Sequence, residues 1–343
     1  MNIGLLFSFR NPPKWRKPFA EVYAEQLAQI RLAEELGYDS VWLTEHHFAE
    51  DGYSPSLLPI AAAIAATTRR VRIGTFLLLL PLHDALRVAE DAATVDVISN
   101  GRLDLGVGQG YVPAEFEGYG IPRTERPSRL REGIEILRGA WTQDPFSFEG
   151  KHYRLKDVRL MPKAVQQPHP PLWVGAGGEK AIDRAARLGC HFLGIGDTSV
   201  YDAALRRHGR DPSDHHSAQL VWVHLGPTRE QAWDEAEAHV HWMLRCYGRW
   251  INDAGEIPGR EVFLNPPAPR ELRSTSTPLL FTPVIGTAEE VRRGLEEFMG
   301  RTRTTHLVLG MHLPGIDPRL SRRSMEEFAS EVMPKLRGGK GDR

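Results

Sequence analysis

The fold of this 343-residue chain is decided by Asp39-Ser40-Val41-Trp42-Leu43-Thr44-Glu45-His46-His47-Phe48. The stretch begins, directly after the helix-ending Gly37, as a short run of β-favouring apolar residues, and it closes on a polar cluster. This pattern predicts a buried strand with an acid and two imidazoles at its C-terminal end. In parallel α/β architectures ligands bind at that edge, so these side chains are placed like a functional site. The alternative is that the histidines only cap the strand or fill the core.

Length and composition limit the classes of protein to which the chain can belong. The length exceeds that of one ordinary domain but suits a barrel of alternating strands and helices, which needs roughly 250 residues plus insertions. A hydrophobic fraction of 41%, a charged fraction of 25% and a net charge of -1 describe an ordinary globular protein with ample core material. This balance gives no reason to expect nucleic acid or an anionic membrane as a partner. We therefore expect one domain over residues 1–343.

Targeting signals and cysteine pairs are not evident. Cys190 and Cys246 match neither a disulfide framework nor a zinc spacing, which is typical of a reducing compartment. The strand-like start at residues 2–7 lacks the features of a signal peptide. No stretch approaches the roughly 18 uncharged apolar residues of a membrane span. We expect a cytoplasmic protein.

Apolar runs and helical periods alternate along the chain. Strands are predicted in the opening stretch and at residues 2–7, 71–80, 102–108, 172–175, 190–195, 219–225 and 306–311. Helices are predicted at residues 19–36, 56–68, 83–98, 128–141, 179–188, 229–247, 288–298 and 323–336. Eight strand-helix units without a break in composition favour a (β/α)₈ TIM barrel with insertions over a doubly wound sheet.

Two segments depart from this alternation. Residues 146–160 alternate like a hairpin that turns at Glu149-Gly150, which predicts an excursion from the barrel. Residues 248–283 contain a Pro-rich segment and a Ser/Thr run with little apolar periodicity. Because an irregular connection of that length is usually functional or disordered, we predict a mobile lid over the strand ends. A packed insertion or a dimer contact is the alternative.

Two glycine-rich strand ends are candidates for a cofactor site. Residues 106–111, Gly-Val-Gly-Gln-Gly-Tyr, let a planar or phosphorylated ligand approach the backbone, although such strings are also common in turns. No helix follows at once, so this is not a dinucleotide fingerprint. Residues 174–178, Val-Gly-Ala-Gly-Gly, lead from a buried strand into a helix whose uncovered N–H groups form an anion site. Arg126 and Arg129 either add positive charge there or lie on the surface.

No metal site is predicted. His215-His216 lies in a polar loop, and no pair of histidines at helical spacing has a carboxylate ligand in a recognisable pattern.

Three segments make the sequence similar to the bacterial luciferase-like, flavin-dependent monooxygenase family, in order and over essentially the whole chain. They are Thr-Glu-His-His-Phe at 44–48, Ser-Asn-Gly-Arg-Leu-Asp-Leu-Gly-Val-Gly-Gln-Gly at 99–110, and Gln-Pro-His-Pro-Pro-Leu-Trp-Val at 167–174. The resemblance implies a TIM barrel, usually a homodimer, that binds reduced FMN supplied by a separate flavin reductase. It further implies activation of dioxygen as a flavin C4a-(hydro)peroxide, which oxygenates a small organic substrate.

The resemblance also implies roles for single residues. The first histidine of the Glu-His-His-Phe motif is the functional one, which assigns the catalytic role to His46 and leaves a structural role for His47. A non-prolyl cis peptide is implied between Phe76 and Leu77. The implied flavin-binding residues are Phe76, Leu77, Gln109, Gly110, Tyr111, Ala176, Gly177 and Gly178.

The chain departs from luciferase at three of the flavin positions. Gln109 stands where luciferase has an arginine, which puts a phosphate contact there in doubt. Gly108 stands where luciferase has a reactive cysteine, so thiol chemistry at the flavin edge is not expected. The luciferase serine near Gly177 and Gly178 is missing. The backbone amides of these two glycines remain to hold the flavin phosphate.

Three functions fit these residues. The leading one is a two-component monooxygenase in which His46 gives or takes a proton near the flavin. A second is a coenzyme F420-dependent oxidoreductase, which transfers hydride on the same fold, although those relatives more often carry an Asp-His-Phe segment. A third is a flavin-binding partner subunit without catalysis. Because that subunit lacks the histidine, His46 argues against it.

Overall fold

The computed structural model describes residues 1–194, 198–257, 259–275, 279 and 281–338. The strands are β1 Asn2–Phe7, β2 Ser40–Leu43, β3 Arg72–Thr75, β4 Leu103–Val107, β5 Phe146–Glu149, β6 Arg154–Val158, β7 Leu172–Gly175, β8 His191–Gly194, β9 Ser217–Leu225, β10 Val284–Gly286 and β11 His306–Gly310. The helices are α1 Phe19–Glu35, α2 Leu57–Thr67, α3 Ala85–Ser99, α4 Pro113–Gly118, α5 Arg126–Thr142, α6 Glu179–Arg187, α7 Ser199–Arg207, α8 Arg229–Ala254, α9 Ala288–Gly300, α10 Pro318–Glu327 and α11 Met333–Gly338.

Eight parallel strands close into a barrel. Their order around it is β1, β2, β3, β4, β7, β8, β9 and β11, and β11 pairs with β1 to complete the ring. The predicted (β/α)₈ TIM barrel is therefore confirmed. Strands β5 and β6 pair antiparallel outside the ring, as the alternation at residues 146–160 predicted. Strand β10, which the sequence did not predict, pairs with the end of β9.

Tryptophan side chains fill the interior of the barrel, and glycines opposite them make room. Trp42 and Trp173 are fully buried and meet edge to face, with ring centroids 5.4 Å apart. A Cβ atom added at Gly74 would lie only 2.2 Å from the Trp42 ring, and one at Gly310 would lie 2.1 Å from the Trp222 ring. Alternating large and small residues on neighbouring strands thus close the barrel as a packed core.

The second core lies between the strands and the surrounding helices. Successive side chains of a strand point to opposite faces, and β2 follows this rule. Val41 and Leu43 pack outward in the larger apolar cluster, whereas Trp42 packs inward in the other. The register of β2 therefore places the residues after Leu43 at the open C-terminal mouth of the barrel.

Some predicted boundaries were wrong. Strand β3 ends at Thr75 rather than at residue 80, because beyond Thr75 the pairing with β4 continues as a single isolated bridge from Leu78 to Val107 before a short 3₁₀ turn at Leu80–Leu82. Helices α4 and α7 were not predicted. The closing helix begins at Pro318, capped by Asp317, and passes through a π-helical turn at Phe328–Val332. Residue 195, predicted as the end of β8, lies outside the described residues.

Helix α8 is longer than predicted, and this changes the segment proposed as a lid. The helix was predicted to end at residue 247, but α8 continues to Ala254 and is capped by Gly255, whose φ of 72° is left-handed. A Cβ atom at Gly248 would lie 2.0 Å from the carbonyl oxygen of Phe263, so this glycine serves close packing inside the helix. The first seven residues of 248–283 are therefore helical, and residues 258, 276–278 and 280 lie outside the described part.

Within the described part of the chain, no helix combines the length and the apolar character needed to cross a membrane.

Candidate active site

His46 lies just beyond the C-terminal end of β2, where its side chain is 8% exposed. Its Nδ1 atom is 2.8 Å from Oε1 of Glu115, a carboxylate from helix α4 that is 1% exposed. The same Glu115 oxygen accepts the backbone N–H of His47 at 2.9 Å. The carboxylate is thus anchored to the end of the strand and bonded to the candidate catalytic imidazole.

Four aromatic rings surround the His46 imidazole. Trp250 stacks on it at 4.3 Å between centroids, and Tyr53, Tyr111 and Tyr247 approach it edge-on at 4.8, 5.8 and 6.1 Å. Burial raises the pKa of all three tyrosines, so they are neutral phenols at ordinary pH. The rings create an environment of low polarity around one titratable side chain.

A buried ion pair supports these rings. Arg10 Nε donates to Asp51 Oδ2 at 2.6 Å, and both side chains are almost fully buried. Burial would lower the pKa of Arg10, but the adjacent Asp51 carboxylate holds it above its ordinary value. The guanidinium lies 4.7 Å from the centroid of the Tyr53 ring and 5.8 Å from that of Tyr247, a cation–π geometry.

His47 belongs to a separate network centred on Glu45. Glu45 Oε1 lies 2.5 Å from His47 Nε2 and 2.8 Å from His83 Nε2, while Oε2 accepts the backbone N–H of Leu79. Burial would raise the pKa of Glu45, but its hydrogen bonds to the two imidazoles hold that pKa below its ordinary value. Burial would lower the pKa of His83, but its hydrogen bond to Glu45 holds that pKa above its ordinary value. His47 Nδ1 meets the Tyr119 hydroxyl at 3.1 Å, so both of its ring nitrogens are engaged.

This network was not predicted, because His83 is 38 residues from Glu45 and belongs to no recognisable motif. Glu45, His47 and His83 bring three potential metal-ligand atoms within 4.8 Å of one another, a grouping that the sequence analysis missed. Glu45 Oε1 is already hydrogen-bonded to both imidazoles, and the arrangement is that of an ion-pair network joining the loops after β2 and β3.

The predicted flavin-binding segments lie at three adjacent strand ends. The cis peptide predicted between Phe76 and Leu77 is present. A Cβ atom added at Gly108 or Gly175 would lie 2.3 or 1.8 Å from methyl groups of Leu77. These two glycines therefore make room for Leu77. At Gly108 this differs from the expectation that the glycines of residues 106–111 admit a ligand to the backbone.

The segment after β4 fits a polar planar ligand. The side-chain oxygen of Gln109 is buried and has no hydrogen-bond partner among the described residues. Gly110 has a φ of 71°, a conformation that favours glycine, and the ring of the next residue, Tyr111, faces His46 edge-on. A buried carbonyl oxygen that lacks a hydrogen-bond donor can accept from an N–H group of a heteroaromatic ligand.

The segment after β7 fits an anionic group. Gly178 is the N-cap residue of α6, with a φ of 104° and no side-chain cap. A Cβ atom added at Gly177 or Gly178 would meet no protein atom within 4 Å, so the space beside this helix start is open. Uncovered N–H groups at the start of a helix attract anions. The neighbouring Ala176 continues the strand end, with its N–H directed to the carbonyl of Leu193.

The arginines considered for this anion site are engaged in ion pairs. Arg126 pairs with Glu256 beyond the end of α8, and Arg129 pairs with Glu125, the N-cap residue of α5. An anion at the start of α6 would therefore be held mainly by backbone N–H groups.

The eight-stranded barrel and the polar residues at its C-terminal mouth define an enzyme fold whose chemistry takes place at the strand ends. Among solved structures, the monooxygenase RslO1 from Streptomyces bottropensis is similar, with a TM-score of 0.84 and 26% identity over 98% of this chain and all of that one. The model of the family described as luciferase-like monooxygenase matches residues 1–305. The chain belongs to this family, which confirms the predicted resemblance.

Two curated relatives represent different chemistries. The oxygenase component of a flavin-dependent trigonelline monooxygenase from Acinetobacter baylyi is 26% identical, over 94% of this chain and 92% of that protein. An F420-dependent glucose-6-phosphate dehydrogenase from Amycolatopsis mediterranei is 38% identical over 168 residues, which are 47% of this chain and 50% of that protein.

Proposed function

We propose that the chain is the oxygenase component of a two-component monooxygenase, which uses reduced FMN and dioxygen to oxygenate a small organic substrate. The observation that supports this most strongly is His46, a buried imidazole that is hydrogen-bonded to a carboxylate and surrounded by aromatic side chains, one of which is Tyr111 of a predicted flavin segment. A positioned imidazole in a site of low polarity is suited to give or take a proton while water is excluded.

Three features of the chain fit reduced FMN. The N–H groups at the start of α6, beside Gly177 and Gly178, would hold the phosphate. The orphaned carbonyl of Gln109 would accept from the ring system, and the Phe76–Leu77 segment would lie against it. When bound, the reduced flavin supplies the electrons that activate dioxygen.

The protein's own contribution is positioning, proton transfer and exclusion of water. Trp250 and the tyrosines keep bulk solvent from the imidazole, and His46 moves one proton to or from the reacting group. The neutral phenols of Tyr53 and Tyr247, whose oxygens are 2.7 Å apart, add hydrogen-bonding capacity without charge.

The partners follow from the same proposal. Because one relative is named as an oxygenase component, we propose that a separate flavin reductase supplies the reduced FMN, and we retain the homodimer as the assembly. That relative acts on trigonelline, which makes trigonelline a reasonable first substrate to test.

A second candidate is an F420-dependent oxidoreductase that transfers hydride without dioxygen. The 38% identity of half the chain to an F420-dependent dehydrogenase favours keeping it. His46 would serve there as the acid or base for the substrate hydroxyl.

Anaerobic titration with reduced FMN and with reduced F420 distinguishes the two candidates. We expect tighter binding of reduced FMN, and oxygen uptake when a flavin reductase and its nicotinamide substrate are added. Tighter binding of F420, together with oxygen uptake no greater than that of the reductase and FMN alone, would support hydride transfer and overturn the monooxygenase proposal.

A further inference from the structure

The two adjacent histidines of the Glu-His-His-Phe motif differ in which ring atoms are engaged. His47 has a partner at each nitrogen, Glu45 at Nε2 and Tyr119 at Nδ1. His46 has Glu115 at Nδ1, and no protein group within the described residues hydrogen-bonds its Nε2. Of the two, only His46 therefore has a nitrogen available for chemistry, and Glu115 occupies the other one.

The protonation of that hydrogen bond can be assigned. Glu115 Oε1 accepts the backbone N–H of His47, so this oxygen carries no proton directed at the strand end. An ionised carboxylate oxygen only accepts hydrogen bonds, so the Nδ1 atom of His46, 2.8 Å from Glu115 Oε1, is the donor of this pair. The neutral His46 ring therefore carries its proton on Nδ1 and has a bare Nε2.

We infer that Glu115 is the positioning residue of His46: it fixes the Nδ1–H tautomer, so that Nε2 is the atom which takes and returns the proton in the reaction. Glu115 Oε1 also accepts the backbone N–H of His47, and this second hydrogen bond holds the carboxylate in place even when the imidazole turns. When Nε2 takes a proton, the resulting imidazolium is paired with a buried carboxylate, which stabilises the charged form.

Other charged groups near His46 do not replace Glu115. Arg10 on the segment after β1 is paired with Asp51, and the two charges offset each other. Tyr53, Tyr111 and Tyr247, from three further segments, are neutral because burial raises their pKa. Trp250 and Thr44 carry no titratable proton. Glu115 is thus the charged group that contacts the imidazole directly.

Nitrogen-15 NMR of histidine-labelled, flavin-free protein tests this assignment without any enzymatic reaction. The His46 signals are identified by their loss in His46→Asn. We expect the neutral imidazole of the wild type to show a protonated Nδ1 and an unprotonated Nε2. A protonated Nε2 in wild type would overturn the inference, whatever the behaviour of any variant.

Substitution of the carboxylate provides the second arm. Glu115→Gln keeps the shape of the side chain but places an amide, which can donate, beside Nδ1, so we expect the Nε2–H tautomer to appear. Glu117→Gln, an exposed neighbour on the same short helix, is the matched control and should leave the tautomer unchanged. An unaltered His46 tautomer in Glu115→Gln would also overturn the inference.

The kinetic arm rests on the proposed function. In the reductase-coupled reaction, Glu115→Gln should lower kcat about 100-fold with KM nearly unchanged. A kcat equal to that of Glu117→Gln would contradict the positioning role. Absence of product from wild type would count against the proposed function alone, because the NMR result stands independently of it.

Discussion

Covering the start of helix α6 is a direct way to test where the flavin phosphate binds. Gly178 is a poor position for this test, because its φ of 104° would strain any side chain. Gly177 is a better one, since its φ lies outside that region and an added Cβ meets no protein atom within 4 Å. Gly177→Val should therefore fold normally while placing its methyl groups in the open space where the phosphate is expected.

The size of the effect follows from the hydrogen bonds lost. A hydrogen bond to a charged group contributes about 1.5–3 kcal/mol, and displacement of the phosphate from two N–H donors costs about 3 kcal/mol at the lower limit. At 1.4 kcal/mol for each factor of ten, FMN should bind roughly 100-fold more weakly. Riboflavin lacks the phosphate, and its affinity should be nearly the same in variant and wild type.

Fluorescence titration of both flavins measures these affinities. Gly300→Val is the matched control, because Gly300 at the end of α9 also has open space around it and no left-handed φ. Equal FMN affinity of Gly177→Val and wild type would place the phosphate elsewhere. An equal loss for riboflavin and FMN would mean that the variant disturbs the flavin pocket as a whole, and would refute the reasoning about the helix start.

Three further predictions concern the histidines and the predicted lid at residues 248–283. His46→Ala should keep its flavin affinity while its product yield falls about 10²–10⁴-fold, and equal yields from this variant and wild type would refute the catalytic role. His47→Ala removes one hydrogen-bond partner of Glu45, so it should lower the melting temperature of the protein more than the product yield. Burial, and to a smaller extent neighbouring histidines, lower the pKa of His191 to about 3, so the folded state resists its protonation. Its contribution to stability is then full above about pH 6.5 and is lost as the pH falls toward 3. Urea unfolding of His191→Asn between these limits should show a weaker pH dependence than wild type, and an identical dependence would contradict the assignment. Limited proteolysis within residues 248–283 should slow when reduced FMN binds, and an unchanged cleavage rate would count against a lid.

The barrel could be predicted because its causes are local and periodic. Apolar runs such as the one before Thr44 recur with helical periods between them, and this repetition decides the number and direction of the strands. Boundaries failed where tertiary contacts override local signals. The helix predicted to end at residue 247 continues through Gly248, where the carbonyl oxygen of Phe263 leaves no room for a side chain. The extra turns carry Trp250, whose contact with His46 was consequently missed.

The candidate site was only half predictable for a similar reason. His46 follows a strong strand and carries a recognisable motif, but its partner Glu115 lies on a six-residue helix that begins with proline and has no periodic signal. A hydrogen bond over 69 residues depends on how two loops meet at the barrel mouth. The sequence analysis noted Gly108 and Gly175 but not the reason why glycine is needed there, because the packing of Leu77 against them is visible only in the structure.

The fate of dioxygen tests the central claim most directly. The protein, FMN, a flavin reductase and a substrate selected by its stimulation of oxygen uptake would be supplied with isotopically labelled dioxygen, and the product would be analysed by mass spectrometry. The account predicts one labelled oxygen atom in each product molecule, and oxygen consumption that ends as hydrogen peroxide when His46→Ala is used. Product that forms without oxygen, or that contains no labelled atom, would contradict it.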